Sequence, residues 1–390
     1  MKGVILVENS FVHPYMPNSV PENKKAMLDE LGINSVEDIY KSIIPDELLY
    51  KERLDIPEPI RSEYELKRHV MGILNRDITT EEYTNFLGAG CYKHQVPAIC
   101  DEINSRGEFL TAYCGDTYSD HGKMQAIFEY TSMMGELLDT DVVSYTTYDG
   151  GQAVASSLRM AVRAVREKGM AGKVILVPKT MNPEIYSQVV QYCRNVAEVR
   201  KIAYEPETGL IDLEELKKQL AKKNVAAVFF ENPTYLGNFE TRGEEIAKLA
   251  HDAGAYCVVQ TEVAALGIME SPVNQGADIV CGDIQPLGMH IQFGGGQAGF
   301  IACNQNMDLV EQFPTYMYGI TETEKEDTYG WGRAMNYRSS HGSRENAKEY
   351  FGTETGLWAI TAGVYLASMG PQGMYELGET IIQNAAYLEN

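Results

Sequence analysis

The sequence has little that would tie the chain to a metal, a membrane or a nucleic acid. Its seven cysteines are scattered over 390 residues and none forms a CxxC pair. An odd number in a long chain is not a disulfide framework, and buried small side chains are the plainer reading. The seven histidines make no HxxxH or HExxH spacing, so no metal site is expected. Positive charge is in deficit: 33 Lys and Arg stand against 55 Asp and Glu, a formal charge of -22. That balance argues against nucleic acid or an anionic membrane as the main partner. No apolar run is long enough to span a bilayer. Met1 to Ser10 lacks a cleavage-site pattern and reads as a cytoplasmic start. One absence is local. Between Lys248 and Lys325 there is no lysine, and between Arg242 and Arg333 no arginine.

What is present suits a large packed protein. Hydrophobic residues make up 44% of the chain and aromatics occur throughout, which excludes wholesale disorder. The first eighty residues read as an arm with short helices. Ser19 stands as an N-cap before Pro21 and an amphipathic run to Leu31. Ser35 opens a second helix that stops before Pro45. Ser62 opens a third, with Glu63 and Glu65 in its acidic first turn. Such a layer wraps a core and does not form one alone.

Beyond Phe86 short apolar strands alternate with amphipathic helices. Strands are predicted at 142–147, 173–178, 199–204, 225–231, 255–260, 277–282 and 297–302. Helices are predicted at 119–138, 152–167, 183–195, 212–222, 244–253 and 373–388. The alternation implies an α/β fold: a doubly wound, mostly parallel sheet covered on both faces. The expected organisation is an arm and helices over 1–80, an α/β large domain over 81–335, and C-terminal helices over 336–390. The last helix reaches Asn390 with no cap or stop signal, which suggests a small domain that is absent or truncated.

Several residues could carry chemistry. At Tyr148-Asp149-Gly150-Gly151-Gln152 a strand runs into glycines that open a helix. Free helix N–H groups favour an anion, so phosphate binding is one reading. A tight strand-to-helix turn needs the same glycines and is the other. Phe293-Gly294-Gly295-Gly296-Gln297 precedes a strand and does not fit a nucleotide fingerprint. Arg333, Arg338 and Arg344 lie near His341; they could clamp a carboxylate, or form a solvated polar loop. The lysine-free stretch covers three predicted strands. In a pyridoxal-phosphate enzyme of this architecture the Schiff-base lysine would sit there.

The motifs together resemble one family. Phe86-Leu87-Gly88-Ala89-Gly90, Thr111-Ala112-Tyr113, Gln125-Ala126-Ile127-Phe128-Glu129-Tyr130 and Tyr148-Asp149-Gly150 recur in order, with His13-Pro14-Tyr15, Gly276-Ala277-Asp278-Ile279 and Tyr365-Leu366-Ala367. The chain is similar over nearly its whole length to the P protein of the glycine cleavage system, and most to subunit 1 of its two-subunit form. The resemblance implies an aminotransferase-like large domain of pyridoxal-phosphate fold type I. It implies that the chain itself binds no cofactor, that a lysine-bearing subunit 2 holds pyridoxal phosphate, and that the pair decarboxylates glycine and passes aminomethyl to the lipoyl H protein. A symmetric α2β2 heterotetramer is the expected assembly.

The same resemblance assigns residues. The His-Lys pair of cofactor-bearing relatives falls at Gln285 and Pro286, and proline has no amine for a Schiff base. The acidic partner of the pyridinium nitrogen falls at Gln260; Glu262 lies on the same strand face one pleat away and is not expected to substitute. Tyr148, Asp149, Gly150 and Gly151 would line the former phosphate end. Tyr113, His121 and His341 are candidates for a shared interface. Two segments depart from the family pattern: Cys114 to Gly122, and Lys348 to Thr353. They leave open a diverged paralogue acting with its partner on another amino acid, or a structural or regulatory subunit.

Overall fold

The computed structural model describes residues 12–50, 52, 55–86, 92–110, 121–351 and 354–389, and of residue 121 the backbone only. The motifs at 87–90 and 111–113, the departure at 114–120, Cys91, residues 352–353 and the first ten residues lie outside the described residues. Contacts divide the chain into two units, Met1–Thr79 and Thr80–Asn390.

The first unit carries α1 (Pro21–Leu31), α2 (Glu37–Lys41) and α3 (Glu63–Leu74). Pro21 starts α1, where its missing N–H is no loss, and Gly32 ends it in the left-handed region at φ 69. The N-cap is Val20; Ser19 instead donates its hydroxyl to the Met16 carbonyl, so the predicted serine cap of α1 is corrected. Its hydroxyl closes the preceding turn and is no longer free for the helix. The Ser62 cap of α3 is present, its oxygen accepting from the Glu65 N–H at 3.3 Å. None of the described residues of this unit is buried.

The second unit holds α4 (Ala98–Asn104) and α5 (His121–Leu138), then β1 (Val142–Val143) and α6 (Gly150–Glu167). Next come β2 (Val174–Pro178), α7 (Pro183–Cys193), β3 (Glu198–Ile202), α8 (Leu213–Leu220), β4 (Val225–Asn232) and α9 (Gly243–Asp252). The remainder is β5 (Tyr256–Thr261), β6 (Ile279–Asp283), β7 (Gly299–Cys303), α10 (Met307–Val310), β8 (Met317–Glu322), β9 (Tyr329–Ala334), α11 (Ser340–Ser343) and α12 (Gly356–Glu389).

Among the described residues β1 to β7 form one seven-stranded sheet in the order β1-β7-β6-β5-β4-β2-β3. The pairs β2–β3, β2–β4, β4–β5 and β5–β6 are parallel, while β7 runs antiparallel to both β6 and β1. One reversed strand in an otherwise parallel sheet is the expected mostly parallel layer. Alternate residues feed two cores. Val228, Phe230, Cys257, Val259 and Val280 face one, with α5 and α12. Ala227, Phe229, Tyr256, Val258 and Ile279 face the other, with α6 and α7. Burial on both faces is why these strands read as continuous apolar runs.

Two predicted elements change in extent. The strand at 142–147 shrinks to β1, with Thr147 adding an isolated bridge to Gly299. The helix at 373–388 begins far earlier, at Gly356, and breaks at Gly370 (φ 59) before Pro371. Proline lacks the N–H that would continue the ladder, which explains the break. The β8–β9 hairpin was not predicted. No helix of the described residues is long and apolar enough to cross a membrane.

Candidate functional site

Four parallel strands end around one cleft of about 990 Å³. Such sheets present ligand clefts at the carboxyl ends of their strands, where the order of connection reverses. β4 delivers Glu231, β5 delivers Gln260 and Thr261, β6 delivers Asp283, and the turn after β2 delivers Asn182. The start of α6 brings Asp149, Gly150 and Gly151 to the same cleft, and Gln285 and Pro286 follow β6 into it. Register fixes the grouping: Glu231 lies beside Gln260, and Gln260 beside Cys281.

The glycine turn is shaped by what surrounds it. Asp149 is the extended N-cap of α6, and its Oδ1 accepts from the Gln152 N–H at 2.6 Å. Its carbonyl accepts from the Ala153 N–H at 3.0 Å and the Thr147 hydroxyl at 2.8 Å. The Gly150 N–H donates to Asp283 Oδ2 at 2.7 Å. A Cβ on Gly150 would meet the Asp283 Cβ at 2.9 Å, and one on Gly151 would meet the Gln188 Cδ at 2.7 Å. Gly150 is therefore required by the Asp283 atoms packed over the turn, whereas a side chain at 151 would displace the end of the flexible Gln188 side chain. Tyr148 is not among the lining residues; its ring stacks on Phe351 at 5.9 Å and its N–H donates to Gln152 Oε1.

Carboxylates dominate the floor. Asp283 accepts from the N–H groups of Gly150, Gln285 (2.8 Å) and Ala298 (3.4 Å). Burial nonetheless pushes its carboxyl up to about 7. Glu231 accepts from the Asn182 and Tyr235 N–H groups and is likewise pushed by burial to about 7. Glu262 also rises to about 7, from burial first and from the neighbouring Asp283 charge. The expected place for it on the strand face is corrected: β5 ends at Thr261, and Glu262 caps the 3-10 turn Val263–Gly267 by accepting from the Ala264 N–H. Gln260 Oε1 is buried without a hydrogen-bond partner. Lys93 is the one lysine lining the cleft among the described residues, and it pairs with Glu81 at 2.7 Å.

Gln285 is a strut. Its amide donates to the carbonyls of Tyr92 and Met289, both at 3.0 Å, and it is 3% exposed. Pro286 beside it is buried. The arginines do not converge on the cleft, and none lines it. Arg338 is neither a solvated loop residue nor a carboxylate clamp; it is buried and donates to the carbonyls of Phe313 (2.7 Å) and Thr315 (3.2 Å). Arg333 lies over the Tyr316 ring at 4.1 Å. His341 is exposed on α11. Tyr113 and the side chain of His121 lie outside the described residues.

The described part of the departing segment at 348–351 is tied to α6. Glu349 pairs with Arg159 at 2.6 Å and Arg163 at 3.1 Å, Lys348 with Glu167 at 2.9 Å, and Phe351 carries the Tyr148 ring. Sequence reasoning passed over Asp283, Glu231 and Gln188. A carboxylate at the last position of a strand was the available signal at Asp283 and Glu231; Gln188, on α7, had none. Among the described residues no group of three or more His, Cys, Asp or Glu is arranged to hold a metal ion.

A mostly parallel sheet with one reversed strand, and a cleft at its carboxyl ends beside a helix start, define an aminotransferase-like chain of fold type I. A sphingosine-1-phosphate lyase from Burkholderia pseudomallei shares that fold with a TM-score of 0.57 at 12% identity, covering 87% of this chain and 76% of that one. The chain belongs to the glycine cleavage system P-protein family, whose profile matches residues 13–390. It is 37% identical over 377 residues to a Pyrococcus horikoshii protein named probable glycine dehydrogenase (decarboxylating) subunit 1, covering 96% of this chain and 81% of that one. A protein of the same name from Staphylothermus marinus is 34% identical over 388 residues, covering 97% and 80%. A crystal structure of glycine decarboxylase (P-protein) in inhibitor-bound form matches with a TM-score of 0.80 at 31% identity, covering 94% of this chain and 78% of that one.

Proposed function

We propose that the chain is the subunit without cofactor of a glycine dehydrogenase (decarboxylating), working in the cytoplasm with a lysine-bearing subunit 2, and that it holds none of the chemistry itself but builds a shared site. The observation that carries this reading is the makeup of the cleft. By the family resemblance, the lysine of cofactor-bearing relatives falls at Pro286, which lines the cleft and has no amine, and among the described residues the one lining lysine, Lys93, is paired with Glu81. The relatives' name, subunit 1, supports a second subunit as partner.

The fold family implies pyridoxal phosphate, whose chemistry when bound is to stabilise a carbanion. The residues of this cleft do not fit it. Gln260 offers an amide where an ionised acid would pair with the ring nitrogen. Asp149, Glu231, Glu262 and Asp283 line the space, three of them raised to about 7 by burial, and no arginine among the described residues lines it; carboxyl groups without a guanidinium to pair a phosphate disfavour a phosphate dianion. No step of the reaction is therefore assigned to this cleft. The reading assigns glycine decarboxylation and aminomethyl transfer to the lipoyl H protein to the partner's site, within an α2β2 assembly. Tyr113, His121 and His341 are the proposed contributors at the shared interface.

The test is reconstitution. Subunit 2 alone should exchange the glycine carboxyl with labelled carbon dioxide poorly, and adding this chain should raise the rate at least about tenfold, a change of 1.4 kcal/mol in barrier. An unchanged rate with both proteins folded and mixed would reject the proposal. The paralogue reading is favoured only by the two departing segments, and it predicts that another amino acid replaces glycine in the same assay.

A further inference from the structure

We infer that the chain excludes a phosphate-bearing cofactor by two independent blocks, and that Asp283, filling the anion seat at the start of α6, is the second. The first is the missing amine at Pro286. The inference rests on the reading of the cleft as cofactor-free and says how that state is enforced.

A helix start offers four N–H groups without partners in the helix, and phosphates bind there. At α6 two of them are satisfied by side chains: Gly150 donates to Asp283 and Gln152 to the Asp149 side chain. The Ala153 N–H makes the first bond of the helix itself, to the Asp149 carbonyl, and the Gln188 side chain packs over Gly151. Asp283 is held in place by two further N–H groups, from Gln285 and Ala298, so it is not a mobile plug. It puts a carboxylate where a phosphate oxygen would lie. A phosphate would have to displace that carboxylate and still sit among Asp149, Glu231 and Glu262. Replacing proline by lysine at position 286 therefore does not bring the cofactor back.

The experiment uses the full chain with four substitution sets: Pro286→Lys, Asp283→Ala, the two combined, and Asp283→Asn. Inorganic phosphate binding is measured by calorimetry. Pyridoxal phosphate is added, reduced with borohydride, and the modified residue located by mass. Circular dichroism checks folding. Wild type and Pro286→Lys should bind no phosphate and give no adduct at 286. Asp283→Ala should bind phosphate at least about tenfold more tightly than wild type, and the combined variant should give the adduct at 286. If Asp283→Ala does not fold, Asp283→Asn decides: it removes the charge and keeps one acceptor oxygen, for Gly150 or for Gln285 and Ala298 but not for both sides; its phosphate binding should exceed that of wild type. The inference is overturned if Pro286→Lys alone is modified at 286 as fully as the combined variant. It is overturned equally if a folded Asp283 variant binds phosphate no better than wild type. An adduct on a lysine of the wild-type chain is a different result: it would reject the cofactor-free reading itself.

Discussion

Glu231 and Glu262 are residues whose burial can be read as a pH dependence. Their folded pKa values rise to about 7, against about 4 for an exposed glutamate. Below pH about 4 both states hold the protons and no charge is buried. Between about 4 and 7 the unfolded chain releases them first, so the folded chain binds more protons and stability falls as pH rises. Above about 7 the loss is complete. Glu231→Gln and Glu262→Gln should each flatten the fall in melting temperature across that window; an unchanged slope would show that these carboxyls are not buried as described. Gln285→Ala removes two amide hydrogen bonds and should cost about 1–3 kcal/mol in a denaturant titration. Gln285 and Pro286 were singled out by motif position, and both line the cleft. Asp283 was not, because its role depends on a contact with Gly150, 133 residues away, and a lone aspartate at a strand end carries no mark of it.

At the scale of elements, α6 is held by a segment distant in sequence. Glu349 binds Arg159 and Arg163 from across the helix, and Lys348 binds Glu167. Glu349→Ala should lower stability by roughly 1–3 kcal/mol, since it strands two part-buried arginines. Glu349→Gln should cost less, because an amide oxygen still accepts; equal costs for the two would place the effect outside these hydrogen bonds. The strands were legible because burial on both faces gives unbroken apolar runs at β2, β4 and β5. The β8–β9 hairpin was not, since its glycines and half-exposed positions give neither a continuous run nor a clean alternation. The strand at 142–147 overran for a related reason: its later residues are fully buried by packing, while only β1 pairs as a regular ladder.

For the whole molecule, apolar runs identify strands but not their order or direction, so the reversal of β7 had no sequence signal. The alternation of strands and helices pointed to the doubly wound α/β class, and the family resemblance narrowed it to the aminotransferase-like type; the structural match bears out the fold and the profile match over residues 13–390 the family. The acidic cleft belongs to this scale too, because its carboxylates arrive from β4, β6, the turn before α6 and the turn after β5. The central claim is that this chain completes a site whose lysine and cofactor lie in another subunit. The most direct measurement is to mix the two subunits with pyridoxal phosphate, reduce with borohydride, and locate the pyridoxyl-lysine by mass in each. The account predicts the adduct on subunit 2 and none on this chain, alone or in the mixture. A specific adduct on a lysine of this chain would contradict it.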